Sequence, residues 1–553
     1  MSDDARLNII PLGGLGEIGK NMMAIRYQDT IVVIDAGLMF PEDELLGIDI
    51  VIPDISYLVE NKDKVKAILL THGHEDHVGA LPYVLKEINP PIYGSKLTLG
   101  IVEGKLKEHN LDNVKTNIVR PRDSINVGPL EIEFFRVSHS IPDAMGIAIH
   151  TPLGVIFHTG DFKIDQTPVD GQVIDFRKMA ELGEKGVLVM FSDSTNADRP
   201  GFTMSEKVVG NTFYELFGRC EGRIIVTTFA SNIHRIQQVI DTAVKYDRKV
   251  AIVGRSMVNN VKISTQLGYI DIPENTLIEM EEINKYPPEK IVVATTGSQG
   301  EPMSALTRMA TADHRWVGIN SGDTVIISAT PIPGNEKLVA KTIDLLFKQG
   351  AEVIYERDMG VHVSGHASQE ELKMILNIIK PRYFIPVHGE YRHLMKHAKI
   401  AESLGIPRSR IFVAENGQII EISKKKAHVA GKVTAGKVLV DGLGVGDVGN
   451  IVLRDRRQLS QDGIMIVVVS INKENGEIVS GPDIVTRGFV YVRESEQLIE
   501  NAKVKVREAM EQCARKNITE WAVIKSQIRD KLGKHLYEKT GRRPMIMPII
   551  MEN

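Results

Sequence analysis

The stretch His72-Gly73-His74-Glu75-Asp76-His77 decides how this sequence folds and where its chemistry lies. It places three imidazoles and two carboxylates within six positions, directly after the apolar run Val65–Leu70, which is typical of a buried strand. Neutral imidazole suits zinc or manganese, and carboxylate adds negative charge for a second divalent ion. The first two histidines could bind one ion, while the aspartate and the third histidine could reach another. A solvated histidine-rich loop is the alternative, and the dense spacing disfavours it.

One such cluster cannot complete two metal sites, so further ligands are expected at other strand ends. The candidates are His139, Asp161 and His388, each at a strand-to-loop junction beside small residues. Any one of them alone would be interpreted as structural, but together with the central motif they predict a shared metal site. Asp35 ends the apolar run Ile31–Asp35, where an acid is suited to orient a ligand histidine.

The arrangement of β-rich and helical stretches predicts an α/β protein. Over the first 200 residues, polar residues collect at the C-terminal ends of short strands, which indicates a layered domain with its site along one sheet edge. A second α/β pattern, from about 203 to 360, predicts a parallel, doubly wound sheet. Histidine-rich signals resume after 360, so this middle block is predicted to be inserted into the first domain.

The length of 553 residues suits three or four domains at roughly 150 residues each. We predict a split first domain at 1–202 and 362–443, an inserted domain at 203–361, a linker at 444–456 and a small α+β domain at 457–553. The glycine-rich segment 441–449 marks the start of that linker.

Composition excludes several classes of protein. Lys and Arg number 67 against 71 Asp and Glu, so the net charge is 67 − 71 = −4, which argues against a simple nucleic-acid coating protein. Phosphate attraction can still be local, because metal ions and backbone N–H groups supply it. The two cysteines, Cys220 and Cys513, cannot build a disulfide framework. Without a long apolar run or a signal-peptide core, we expect a cytoplasmic protein and no membrane partner.

The segment Gly13–Gly19 superficially matches a dinucleotide-binding loop. The acidic residue that should end a second strand at the proper distance is missing, so a structural turn under the metal site is the better interpretation.

Longer motifs carry a family resemblance. The segment from His72 to His77, with a later histidine and a bridging aspartate, resembles the metallo-β-lactamase signature. Three further segments resemble the extra motifs of the β-CASP nucleases. They are Ser192-Asp193-Ser194-Thr195, His362-Val363-Ser364-Gly365-His366-Ala367 and Val387-His388-Gly389-Glu390. With the C-terminal segments 483–491 and 542–545, the whole chain resembles the bacterial ribonuclease J family. The resemblance implies a metallo-β-lactamase αββα sandwich, an inserted doubly wound β-CASP domain and a small α+β C-terminal domain.

The resemblance also implies two divalent ions per subunit, Zn²⁺ or Mn²⁺. It assigns His72, His74 and His139 to one ion and Asp76, His77 and His388 to the other, with Asp161 bridging. Asp76, Asp193 and His366 would be the catalytic residues. His366 would lie near the scissile phosphate, where it could protonate the leaving 3′ oxygen. A structural histidine in a glycine-containing turn is the alternative for His366.

Two further sites follow from the same resemblance. The RNA 5′ monophosphate would bind Ala230, Ser231 and Asn232 together with His362, Val363, Ser364, Gly365 and His366. For Ser231, helix capping alone is the alternative. Gly47, Asp49 and Asp441 match positions that hold a structural calcium, for which oxygen-only ligation is suited. Ordinary surface acids are the alternative there.

The implied function is a metal-dependent ribonuclease with 5′-to-3′ exonuclease activity, preferring 5′-monophosphorylated single-stranded RNA, and with endonuclease activity. Its implied roles are mRNA decay and rRNA maturation, as a homodimer or tetramer or in hetero-oligomers with a paralogue and RNA-decay machinery. Three alternatives stay open: a catalytically weak paralogue acting as a partner subunit, a DNA-directed β-CASP nuclease, and a hydrolase of a small thioester or lactam. Intact metal motifs disfavour the first and the insertion disfavours the last. No residue decides the sugar, because 2′-OH recognition is a local contact.

Overall fold

A computed structural model describes residues 6–42, 44–299, 304–332, 334–356, 359–472, 478–490, 495–516, 518 and 520–552. Residues 1–5 and Tyr491, the last residue of the C-terminal segment 483–491, lie outside the described residues. The chain folds into two compact units. The first contains Met1–Phe40 and Ile50–Val438, and the second contains Pro41–Asp49 and Leu439–Asn553.

The first unit begins with a two-sheet sandwich. Its first elements are β1 (Leu7–Gly13), β2 (Leu15–Gly16), β3 (Met22–Tyr27), β4 (Thr30–Ile34), β5 (Ile50–Pro53), α1 (Ser56–Glu60), β6 (Val65–Leu69), α2 (Glu75–Val78), α3 (Leu81–Glu87), β7 (Ile92–Gly94), α4 (Lys96–Glu108), β8 (Thr116–Ile118), β9 (Ser124–Val127), β10 (Leu130–Arg136), β11 (Met145–Thr151), β12 (Gly154–His158), α5 (Phe176–Lys185) and β13 (Val187–Asp193). Apolar side chains from both sheets, among them Val32, Leu69, Phe134 and Ile147, form one buried core between them.

The inserted part is a parallel sheet covered by helices. Its elements are α6 (Lys207–Arg219), β14 (Ile224–Thr227), α7 (Ile233–Lys245), β15 (Lys249–Val253), α8 (Arg255–Leu267), β16 (Ile291–Thr295), α9 (Ala305–Ala310), β17 (Thr324–Ile327), α10 (Glu336–Lys348) and β18 (Glu352–Ile354). The strand order is β15-β16-β14-β17-β18 and every pairing is parallel. Strands such as Ile224–Thr227 are buried throughout, as expected when helices cover both faces of a sheet.

The chain then returns to the sandwich. It adds α11 (Gln369–Ile379), β19 (Tyr383–Val387), β20 (Gly389–Glu390), α12 (Tyr391–Ser403), β21 (Gln418–Ile422) and β22 (Ala427–Lys432). The two facing sheets have the orders β22-β21-β1-β3-β4-β6-β7-β8 and β19-β13-β12-β11-β10-β9. Strand β19 pairs in parallel with β13, so the chain leaves and re-enters the sandwich at neighbouring strands.

The second unit contains a sheet covered by two long helices. Its elements are β23 (Lys437–Asp441, which begins in the first unit), β24 (Gly444–Val445), α13 (Asn450–Asp462), β25 (Ile464–Ile471), β26 (Ile478–Arg487), α14 (Glu496–Arg515), α15 (Trp521–Thr540) and β27 (Met545–Glu552). The sheet order is β26-β25-β27. Buried side chains of β25 pack against apolar faces of α14 and α15. No helix among the described residues has the length and apolarity needed to cross a membrane.

Strands β4 and β6 begin and end within one residue of the predicted apolar runs Ile31–Asp35 and Val65–Leu70. One prediction is wrong in part: residues 450–456, interpreted as linker, begin helix α13. The glycines stop at Gly449, and Asn450-Ile451-Val452-Leu453-Arg454 contains no glycine or proline to break a helix. The domain limits themselves remain predictions.

Candidate active site

Parallel strands bring the predicted ligands to one edge of the sandwich. Strands β12, β13 and β19 run parallel, with Asp193 of β13 in register with Val387 of β19. Their C-terminal ends therefore meet at one edge, as do those of β4 and β6 in the facing sheet. We call this edge the metal edge; it is formed by Asp35, His72, His74, Asp76, His77, His139, Asp161, Asp193, His366 and His388.

Three imidazole nitrogens converge at one point of the metal edge. Nδ1 of His74 lies 3.0 Å from Nε2 of His72 and 3.2 Å from Nε2 of His139. Burial and the neighbouring imidazoles lower the pKa of His72 and His139, and burial lowers the pKa of His74 to about 4. The three rings are therefore neutral at pH 7, which is the form that binds a metal. These residues could hold one ion.

A second group combines imidazoles with carboxylates. Asp161 Oδ2 lies 3.2 Å from Nε2 of His77 and 3.3 Å from Nε2 of His388. Asp76 Oδ2 lies 3.2 Å from the same nitrogen of His388. Burial disfavours a charged ring, but Asp161 and the other nearby acids raise the pKa of His388 to about 9. This group is therefore a site for positive charge, and its four residues could hold a second ion.

Asp161 lies between the two groups. Its Oδ2 is also 3.8 Å from Nε2 of His72, so one carboxylate oxygen faces imidazoles of both groups. Its side chain is buried, and the imidazoles of His388, His77 and His72 hold its pKa well below the usual range despite the opposing effect of burial. The donor set of nitrogen and carboxylate oxygen fits divalent ions of the zinc and manganese type.

Asp35 has a backbone conformation that L-residues rarely adopt, and its carboxylate orients His77. Its φ is 59°, in the left-handed region. The carboxylate accepts hydrogen bonds from the backbone and hydroxyl of Thr71, both at 2.8 Å, and from Nδ1 of His77 at 2.7 Å. With the hydrogen of His77 on Nδ1, its Nε2 lone pair faces the second group. The bonds that Asp35 accepts offset the backbone strain at this position.

Thr195 orients His388 in the same way. Its hydroxyl donates to Asp193 Oδ1 at 2.7 Å, so it accepts from Nδ1 of His388 at 2.8 Å. Nε2 of His388 is thereby directed at Asp76 and Asp161. Neither Thr71 nor Thr195 was predicted from the sequence as a site residue. Thr71 directly precedes His72 and Thr195 follows Asp193 by two positions, and a small hydroxyl residue this near a predicted site residue is the signal that could have identified them.

His366 and Asp193 form a pair beside the ligands. Nδ1 of His366 lies 2.7 Å from Oδ2 of Asp193 and 3.9 Å from Oδ2 of Asp161. Burial lowers the pKa of His366, but Asp193 outweighs it and raises that pKa above the ordinary value. The carbonyl of Gly365 accepts from Nδ1 of His139 at 2.7 Å. A Cβ at Gly365 would lie 2.8 Å from the His139 ring, so only glycine fits.

The segments predicted to bind the RNA 5′ end lie around a helix start and a loop. Asn232 caps α7 by accepting from the backbone N–H of Arg235 at 3.1 Å, so Asn232 rather than Ser231 is the side-chain cap. The Ala230 carbonyl accepts from Asn260 at 3.0 Å. In the loop, the Ser364 hydroxyl accepts from Asn196 at 2.8 Å, and His362 is partly buried.

The predicted calcium residues lie within the second unit. Asp49 Oδ2 accepts from the backbone N–H of Gly442 at 2.7 Å. The carboxylate of Asp441 is paired with the guanidinium of Arg456, which also donates to the Leu46 carbonyl at 2.9 Å. A cation of the chain itself therefore faces these oxygens, and calcium binding stays a prediction.

The glycine-rich segment near the N-terminus is a turn beside the ligands. The Gly14 carbonyl accepts from the backbone N–H of His388 at 3.1 Å, and β2 pairs with β20 directly after that histidine. The segment therefore supports the second ligand group.

Comparisons with known proteins agree with this geometry. The metallo-beta-lactamase superfamily matches residues 15–174, and the ribonuclease J beta-CASP domain matches 221–346. A Zn-dependent metallo-hydrolase RNA specificity domain matches 350–412, and the ribonuclease J C-terminal domain matches 451–553. A crystal structure of a protein of unknown function from Enterococcus faecalis V583 is similar with a TM-score of 0.55 and 18% identity, over 75% of this chain and 100% of that one, which supports the fold alone.

Similar curated proteins span the whole chain. Ribonuclease J2 of Bacillus subtilis (strain 168) is 50% identical over 548 residues, covering 99% of this chain and 98% of the relative. Ribonuclease J 2 of Staphylococcus aureus (strain NCTC 8325 / PS 47) is 47% identical over 547 residues with the same coverage. With intact ligand groups at the metal edge, the chain belongs to the ribonuclease J family and is a metal-dependent hydrolase acting on RNA.

Proposed function

We propose that the protein is a 5′-to-3′ exoribonuclease that prefers a 5′ monophosphate and also cleaves internally, in mRNA decay and rRNA maturation in the cytoplasm. The observation that carries the proposal is the metal edge, where two ligand groups share Asp161 and His366 lies 3.9 Å from that same carboxylate. Bond cleavage and proton donation can therefore occur at one place.

The residues around His366 suit it to protonate a leaving group. Its hydrogen bond to Asp193 fixes the ring through Nδ1 and raises its pKa, so the imidazolium form is available with Nε2 directed away from Asp193. Water adds to phosphorus and releases one proton, the bond from phosphorus to the 3′ oxygen breaks, and that oxygen takes the Nε2 proton of His366. The proton released by the water restores the imidazolium. The shortened RNA keeps the phosphate at its new 5′ end and is again a substrate.

Divalent ions, which we propose to be Zn²⁺ or Mn²⁺, would supply Lewis acidity and lower the pKa of the attacking water. His72, His74 and His139 would hold one, and Asp76, His77 and His388 the other, with Asp161 shared. The neutral imidazoles favour nitrogen ligation in the first group, and the carboxylates favour a second positive charge in the other.

A 5′-monophosphate preference needs an anion site near the scissile bond. We propose that Ser231, Asn232 and the segment from His362 to His366 provide it. Asn232 caps the 13-residue helix α7, whose N-terminal backbone N–H groups attract anions. An end with this small anion bound would place the next phosphodiester at the metal edge.

We propose that the protein assembles as a dimer or tetramer, with a paralogue as a further partner. The C-terminal sheet supports this because its helices cover only one face. On strand β27, Met547, Ile549 and Met551 remain 45%, 40% and 47% exposed. Apolar faces of this kind commonly mark interaction surfaces. Sizing of Ile549→Lys should give a smaller species than the wild type; an unchanged size would exclude this face.

The decisive experiment uses the full-length protein with Mn²⁺ and one RNA sequence bearing a 5′ monophosphate or a 5′ triphosphate, with a DNA of the same sequence. We expect mononucleotide release from the monophosphorylated RNA and much slower release from the other substrates. His74→Ala should abolish the activity, whereas His109→Ala, at the end of helix α4, should not.

The other possible outcomes of this experiment would each support a different function. Inert wild-type protein that stimulates an added active ribonuclease J would identify a partner subunit. Preferential cleavage of the DNA would identify a DNA-directed nuclease. Unchanged activity in His74→Ala would refute the role of the metal edge.

A further inference from the structure

A second group of buried charges combines residues of the sandwich with residues of the inserted part and reaches the predicted 5′-phosphate segment. We call it the buried ion-pair cluster; it consists of Lys163, Asp165, Glu206 and Arg235. Arg235 is fully buried, and its Nη2 donates to Glu206 Oε2 at 2.6 Å. Lys163 Nζ lies 3.6 Å from both Asp165 Oδ2 and Glu206 Oε1. Two cations face two anions, so the cluster is neutral overall.

The other guanidinium nitrogen of Arg235 points to the segment that contains His362. Its Nη1 donates to the Ser328 hydroxyl at 2.6 Å and to the Ser328 carbonyl at 3.1 Å. The Ser328 hydroxyl in turn donates to the Val361 carbonyl at 2.6 Å, so Arg235 fixes the backbone next to His362. The same Nη1 lies 3.5 Å from Nδ1 of His362.

This last contact, at the outer limit of hydrogen-bond distance, favours one tautomer of His362. A guanidinium can only donate hydrogen bonds, so Nδ1 of His362 must accept and the ring hydrogen resides on Nε2. A donor on Nε2 is what an anion requires, whereas the opposite tautomer would present a lone pair to it. Because the cluster is neutral, Arg235 acts through this hydrogen bond and the Ser328 contact rather than by attracting RNA.

We propose that Arg235 is a positioning residue for 5′-phosphate recognition: it fixes the tautomer and the backbone of His362 so that Nε2–H donates to the terminal phosphate. The inference rests on the proposed function, since it assumes that His362 contacts the 5′ phosphate.

The test compares kcat/KM for one RNA with a 5′ monophosphate and with a 5′ hydroxyl, using the full-length Mn²⁺-loaded protein. Removing Arg235 alone would leave Glu206 buried without a partner, so the variant is E206Q/R235Q, which replaces the pair by two neutral amides. We expect the preference for the monophosphate to fall by roughly 10-fold, mainly through KM, because a hydrogen bond to a charged group is mispositioned.

The chain offers a matched control. Arg223 and Asp323 form another buried pair in the same sheet, with Nε to Oδ1 at 3.2 Å, at the opposite ends of the strands. R223Q/D323N should lower the melting temperature comparably and leave the preference unchanged. An equal loss of preference in both double variants would reduce the role of Arg235 to domain stability and overturn the proposal.

A double-mutant cycle separates tautomer control from packing. In His362→Gln the amide nitrogen supplies a donor and has no tautomer, so adding E206Q/R235Q should lower the preference no further. A further loss there, or no loss in E206Q/R235Q itself, would overturn the inference. A normal preference in His362→Ala would instead refute the proposed 5′-phosphate site, so the two failures are distinguishable.

Discussion

The first unit contains two buried charged regions that reach electrical balance differently. At the metal edge, four acids have only histidines as ion-pair partners within the described part of the chain: Asp35, Asp76, Asp161 and Asp193. In the buried ion-pair cluster, each acid faces a lysine or an arginine. Histidines can give up their protons to an incoming divalent ion, so the first region suits an added cation, whereas the second already contains permanent cations. Burial of charge alone therefore does not identify a metal site; the absence of a permanent cation among the partners does.

The largest expected effect comes from the acid shared by both ligand groups. Asp161→Ala should reduce ribonuclease activity by more than about 10³-fold, beyond the loss from one transition-state donor, because Asp161 is proposed as a ligand of both ions. Metal content per subunit should fall in parallel. Asp175→Asn, at the start of helix α5, is the control. Activity above one tenth of the wild type in Asp161→Ala would show that the two groups act independently.

The buried ion-pair cluster should respond to acid rather than to chelators. Burial raises the pKa of Glu206, but Arg235 and Lys163 outweigh it and lower that pKa to about 2, below the ordinary 4.5. Its stabilisation is therefore complete above pH 4.5 and is lost as pH falls toward 2, amounting to on the order of 3 kcal/mol. Denaturant unfolding at several pH values should show the advantage of wild type over E206Q/R235Q shrinking across that window. A stability difference between the two proteins that stays constant across this pH range would contradict the prediction.

Metal removal should destabilise the metal edge specifically. An ion present at 100 times its dissociation constant stabilises the folded chain by about 2.7 kcal/mol. The melting temperature of the wild type should therefore be lower after chelation than after Mn²⁺ is returned. In Asp161→Ala the two curves should nearly coincide, whereas E206Q/R235Q should keep the full response. Identical wild-type unfolding curves with and without Mn²⁺ would contradict the proposed difference between the metal edge and the buried ion-pair cluster.

The smallest expected effect concerns the orientation of the His388 ring. Thr195→Val removes the hydroxyl that accepts from His388 and should weaken metal affinity or activity by about 10- to 100-fold. Thr195→Ser keeps the hydroxyl and should retain most of the activity. Titration of metal into the apo-proteins measures the difference. Equal affinities in the valine and serine variants would show that His388 needs no such partner.

The two regions also differ in how readily the sequence reveals them. Four residues of the metal edge stand within His72–His77, and spacing and strand ends also nominated Asp35, His139, Asp161 and His388. Asp193 and His366 were predicted only through the family resemblance. The cluster residues Lys163, Asp165, Glu206 and Arg235 share no motif, and only the folded chain brings them together. Most strands were predictable because their apolar runs are buried on both faces. Helix α13 was not, because its charged residues bury little.

The parallel pairing of β13 with β19 has a consequence for the newly made chain. His388 follows Asp161 by 388 − 161 = 227 residues, since the insertion lies between them. At a synthesis rate of about 5–20 residues per second, a ribosome needs roughly 10 to 45 seconds to make that segment. During this interval the growing chain lacks one donor of the second ligand group. A nuclease assembled in this order completes its metal edge only after most of its own message has been read.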